Sequence, residues 1–103
     1  MKIEIYNTKE TFKLVESYEL SSNKFEGFKE LIFRLTWGDY AKGGLHTAYV
    51  IDKEKNIDYK LDAVMLSRVV DDGDEQKLFD MLLEAKSNQS IQEFSTYYLE
   101  LER

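Results

Sequence analysis

The sequence predicts an α+β fold: an antiparallel sheet of four to five strands, built as a β-meander of hairpins, followed by one or two C-terminal helices packed on one face. Three observations predict it. Apolar and polar residues alternate through much of the first two-thirds of the chain, as half-buried strands require. Short polar stretches separate these segments, the connections that hairpins use. Beyond Asp71 the apolar spacing changes to three and four, the period of a helix that buries one stripe. The whole chain of 103 residues is read as one domain.

Lys2–Tyr6 places Ile3 and Ile5 on one face, with Lys2, Glu4 and Tyr6 on the other. Asn7–Glu10 is a hairpin connection. Thr11–Leu20 forms the second strand, because Phe12, Leu14, Tyr18 and Leu20 recur at even spacing. Asn23 followed by Glu26 suggests a helix start, with an acid reaching back to the cap. Leu31, Phe33, Leu35 and Trp37 then alternate as a strand, although Phe25, Phe28, Ile32 and Leu35 also fit a helical stripe. Gly38–Gly44 is a loop. His46–Asp52 and Ile57–Asp62 form a hairpin across the charged turn Asp52–Asn56. Ala63–Val70 continues as a strand or a short helix.

Asp74 is placed to cap a helix carrying Leu78, Phe79, Leu82 and Leu83, with Glu75 in its first turn. Ser87–Gln89 ends that helix. Ser90 and Glu93 form a capping box before a last helix with Phe94, Tyr97, Tyr98 and Leu101, although its aromatic residues also favour a strand.

Composition narrows the function. An apolar fraction of 43% is that of an ordinary globular chain, so wholesale disorder is excluded. The absence of Cys removes disulfides, thiolate ligands and a thiolate nucleophile, and it fits a cytoplasmic location. No apolar run approaches the ~20 residues that span a bilayer. The formal charge of −6 is uneven: residues 1–70 are neutral, while residues 71–103 hold nine acids against three bases. Such a field repels nucleic-acid backbone and attracts basic surfaces.

Two segments are candidate sites. Trp37–His46 gathers the lone Trp, the lone His and three of the five glycines, a composition suited to a binding loop. His46 could act as a general base only if a carboxylate such as Asp39 oriented it. The second segment is the acidic run Asp71, Asp72, Asp74, Glu75, Asp80 and Glu84. Its spacing does not match a calcium loop, so no metal is expected. Phe94, Tyr97 and Tyr98 beside Glu93, Glu100 and Glu102 could add an acidic-aromatic surface.

These features lead to the expectation of a small acidic protein-binding module, an inhibitor or modulator without catalytic residues or cofactor. It would occlude the basic, nucleic-acid-binding surface of a larger partner, in the manner of small phage or mobile-element proteins that act against host defence. The expected contacts are Asp71, Asp72, Asp74, Glu75, Asp80 and Glu84, joined by Trp37, Asp39 and Tyr40. Direct nucleic-acid or membrane binding is not expected. The chain would be a monomer or a homodimer, with Lys2–Tyr6 available to pair with a second copy. The alternative is a small enzyme or ligand-binding domain using the Trp37–His46 loop, which needs a pocket between sheet and helices.

Overall fold

A computed structural model describes residues 1–9 and 11–101. Glu10, in the first connection, and Glu102, in the C-terminal acidic-aromatic set, lie outside the described residues. The strands are β1 (Lys2–Asn7), β2 (Lys13–Glu19), β3 (His46–Asp52) and β4 (Ile57–Lys60). They form one sheet in the order β2-β1-β3-β4, and every neighbouring pair is antiparallel. The helices are α1 (Phe25–Thr36), α2 (Ala63–Asp72), α3 (Glu75–Glu84) and α4 (Asn88–Glu100).

The α+β architecture is as the alternation predicts, but three helices rather than one or two follow the sheet. β1 is interior and bonded on both sides, so it is no open edge for a second copy; the edges are β2 and β4. Ile3 and Ile5 of β1 sit beside Ala48 and Val50 of β3, all buried on one side of the sheet. Phe28, Ile32, Met65, Val69, Leu78, Leu82 and Ile91 from the helices complete that core.

The segment 31–37 is helical, not a strand. A strand would place Leu31, Phe33, Leu35 and Trp37 together, yet Phe33 is 52% and Trp37 61% exposed. The helix buries Phe28, Leu31 and Ile32 instead, and spacings of three and four prevail over spacing of two. Gly27 lies inside this helix, where glycine costs roughly 1 kcal/mol relative to Ala. A methyl there would collide with the Tyr18 hydroxyl, which donates to Lys24 O at 3.0 Å. The glycine lets β2 and α1 approach closely.

The helix ends differ in detail from the sequence reading. Asn23 Oδ1 accepts from Ser21 Oγ, and Lys24 occupies the α1 cap without a side-chain bond. Asp62, assigned to a strand by its alternation, caps α2 and accepts from Met65 N at 2.9 Å. The α4 cap is Ser87, three residues earlier than the Ser90 box. Ser90 N–H donates to Ser87 Oγ, and Glu93 accepts from Gln89 one turn before it.

Leu82 is fully buried beneath α3. Leu82→Ala is therefore expected to cost about 2–5 kcal/mol. The loss should appear as a lowered denaturant midpoint, and a wild-type midpoint would show that α3 does not bury this stripe.

Candidate functional site

The Trp37–His46 loop is built around Arg34, in the last turn of α1. Its Nε donates to Asp39 Oδ1 at 2.9 Å and its Nη2 to Asp39 Oδ2 at 3.1 Å, a two-pronged pairing. Nη1 reaches Glu16 Oε1 on β2 at 3.2 Å, and the Tyr40 hydroxyl donates to the same oxygen at 2.5 Å. The guanidinium carbon lies 4.3 Å over the Tyr40 ring. The bond from Arg34 holds the Asp39 carboxyl below its usual range. Burial first, and the bond to Glu16 second, push the Tyr40 phenol up.

This clasp changes the reading of the loop. Asp39 serves Arg34 and does not orient His46. Tyr40 is buried, so of the three predicted loop contacts Trp37 and Asp39 face solvent. The His46 ring lies 4.8 Å from the Tyr40 ring, and its Nδ1 is buried without a hydrogen-bond partner.

The acidic residues divide into three groups. Asp71 and Asp72 end α2, Gly73 turns the chain in the left-handed region, and Asp74 opens α3. The Tyr98 hydroxyl of α4 shares its one proton between Asp72 Oδ2 at 2.9 Å and Asp74 Oδ2 at 2.8 Å, and so sits between two of these carboxylates. Asp80 and Glu84 lie on the solvent face of α3 and flank a groove with Met81 and Phe94. Glu75 separates from both groups. It is buried, and it shares a different groove with Glu26, Lys29, Glu30 and Phe33 of α1. At 100° per residue, Asp80 and Glu84 project from the far side of α3 relative to Glu75.

The ends of the helices carry the electrostatic contrast. A helix C-terminus bears a partial negative charge and favours cations. Lys55 Nζ donates to Ala85 O at the end of α3, at 3.1 Å. Arg68 donates to Leu99 O and Leu101 O at the end of α4, at 2.6 and 3.3 Å. The last turn of α2 has no base and carries Asp71 and Asp72 instead. The dipole argument for acids at a helix start thus covers Asp74 and Glu75 but not these two. Among the described residues, Asp71, Asp80 and Glu84 take part in no ion pair.

Two features are assigned no residues in the sequence reading, although the alternative there requires a pocket between sheet and helices. One is a cavity of about 670 Å³ between the start of β3, β4 and the helices, lined in part by Tyr40, His46, Ser67, Tyr59 and Ser95. The other is a ring cluster on the uncovered sheet face. Tyr6, Phe12 and Tyr49 pack with centroids 5.7–6.3 Å apart, and Phe12 is held by two successive left-handed residues, Thr11 and itself. The even spacing of Tyr6, Phe12 and Leu14 was a signal for the second feature. The cavity has no comparable local signal.

Fold and surfaces thus define a small antiparallel α+β protein with an acidic corner. Comparison with known proteins finds no matching family model, no matching curated protein and no matching solved structure. Among the described residues, no helix is long and apolar enough to cross a membrane.

Tyr98→Phe removes the hydroxyl proton shared by the corner carboxylates and is expected to cost about 1–3 kcal/mol. The Tyr98 phenol is pushed up to about 12, by burial first and the Asp74 bond second. An unfolded phenol ionises near ~10. The stabilisation from this group is therefore complete below about pH 10 and is lost as pH rises toward 12. Denaturant midpoints measured across that interval should fall less steeply for Tyr98→Phe than for wild type. Parallel slopes would show that Tyr98 ionises alike in both states.

Proposed function

We propose that this protein is a non-catalytic protein-binding module that inhibits or modulates a larger partner by covering a basic surface on it. The contact surface is the α2–α3 corner with Asp71, Asp72 and Asp74, extended along α3 by Asp80 and Glu84. One observation carries this reading: α2 ends on two aspartates, and whereas Lys55 and Arg68 from elsewhere in the chain donate to the carbonyls at the ends of α3 and α4, none of the three helices has a base in its own last turn. Carboxylates at that end of a helix oppose the dipole, at about 0.3–1 kcal/mol each. A basic partner relieves this repulsion on binding. Acidic charge steers the encounter, and the apolar groove with Met81 and Phe94 supplies contact area beside it.

A protein surface that binds nucleic-acid backbone has the matching charge, and its occlusion is the inhibitory step. This reading places the protein in the cytoplasm, among the small inhibitors encoded by phages and mobile elements. Trp37 extends the contact only where a partner also reaches the end of α1. Tyr40 and Glu75 are left out of the interface because both are buried.

The test uses affinity capture from native lysate with wild type and the D71N/D80N/E84Q variant. Asp72 and Asp74 are kept so that the Tyr98 bonds survive. The wild type is expected to retain a partner with a basic surface, to release it between roughly 0.05 and 0.5 M salt, and the variant is expected to lose it. Equal capture by a variant with a wild-type circular dichroism spectrum, or release indifferent to salt, would remove the electrostatic mechanism.

A further inference from the structure

We infer that a second copy of this chain packs on the uncovered face of the sheet, face to face over β3, with a twofold axis running along that strand. The alternation of each strand defines the face. Ile3, Ile5, Ala48, Val50 and Ile57 are buried toward the helices. Lys2, Glu4 and Tyr6 of β1, Thr47, Tyr49 and Ile51 of β3, and Asp58 and Lys60 of β4 therefore point the other way. Phe12 is 52% exposed and leans onto this face, with its ring 5.9 Å from Tyr6 and 6.3 Å from Tyr49. Its backbone is left-handed, at φ 54, where a bulky side chain is rarely found. Leu14, opposite Tyr6 on β2, is exposed beside it. A ring cluster held at the surface in this way is contact area rather than core.

Charge identifies the occupant. The register sets Lys2, Ile51 and Asp58 side by side across β1, β3 and β4, and Glu4, Tyr49 and Lys60 in the next row of the same face. Each row carries opposite charges on the two sides of β3, one strand or about 4.8 Å from it. Half a turn about an axis along β3 places Lys2 over Asp58 of the second copy and Glu4 over its Lys60, and symmetry forms each pair twice. Tyr49 and Ile51 meet their own images between these pairs. The contact then has an apolar centre and a charged rim, as protein interfaces do. Glu19, opposite Lys2 on β2, lies one strand further out and passes beyond β4 of the second copy. The four rim charges sum to zero, so a strongly basic or strongly acidic partner finds no surplus to bind. A second copy finds its complement. Among the described residues Asp58 and Lys60 take part in no ion pair, and Lys2 is bridged within its own strand, to Glu4 at 3.5 Å. Face-to-face sheets pack about 10 Å apart and within about 30° of alignment, which this axis allows.

The helices and the acidic corner lie on the other side of the sheet and stay open in this dimer, so the two readings fail independently. The test is the mass of the full chain by light scattering during size-exclusion chromatography at sub-millimolar concentration. Wild type is expected at twice its 12.2 kDa. Lys60→Glu opposes two acids across the contact and Glu4→Lys opposes two bases, so each variant alone is expected to be monomeric. Mixed in equal amounts, the two variants restore both pairs, and the dimer mass returns. That rescue also shows that both variants fold. A monomeric wild type overturns the inference. So does a dimer that either single variant leaves intact, or a mixture that stays monomeric while both variants keep wild-type circular dichroism. Leu20 N–H donates to Met1 O at 3.0 Å, so the alternation turns Ser17 N–H out from the β2 edge. A dimer lost on Ser17→Pro and kept on Lys60→Glu joins β2 edges instead, and this too overturns the inference.

Discussion

One face of the sheet is buried and the other is not, and the rest of the structure follows from this asymmetry. Burial of apolar surface is the main stabilising term available to a chain of this size without disulfides. Ile3, Ile5 and Val50 are fully shielded, and each helix must turn its apolar stripe to the same side to shield them. Side-chain polar contacts then fix where the elements end. Arg34 ties β2, the end of α1 and the following turn into one clasp through Glu16 and Asp39. Tyr98 ties α4 to the α2–α3 corner. Neither clasp could replace the core; each sets the position of elements the core already holds.

Legibility in the sequence followed from how many periodicities a segment satisfied. Ile57–Lys60 and His46–Asp52 alternate, are rich in β-formers and flank a charged turn, and they pair as expected. Leu78, Phe79 and Leu82 fit only a helix, and they form one. Residues 31–37 satisfied both periods. The choice there rested on which side chains meet the core, and that depends on contacts with α2 and α3 far along the chain. The α4 cap was misplaced by three residues for a similar reason. Ser87 and Ser90 both suit an N-cap, and only the packing of Ile91 against the core selects the earlier one.

The candidate site was legible as composition and not as geometry. The acids from Asp71 onward stand close in the sequence, yet a helix rotates successive residues by about 100°, and this turns Glu75 inward while Asp80 and Glu84 face water. Asp39 and Tyr40 belong to a loop with the look of a binding surface, but Arg34, five residues before Asp39, engages them both. The cavity depends on Ala48, Ser67 and Ser95 arriving from three separate elements. None of the three is unusual in its own segment, so no local pattern announces the space between them.

At the corner, neighbouring carboxylates differ in what they contribute to the fold. Tyr98 shows that the fold makes use of Asp72 and Asp74, since a buried phenol needs acceptors and finds two. Asp71 has no such role in the described contacts. It adds charge to a helix whose last turn holds no base, while Lys55 and Arg68 donate to Ala85 O and Leu99 O at the ends of α3 and α4. A sequence shaped by stability alone would place Lys or Arg at that position, as the preferences of helix ends dictate. The aspartate works against the folded chain in isolation, and a positively charged surface brought against it reverses the sign of that contribution.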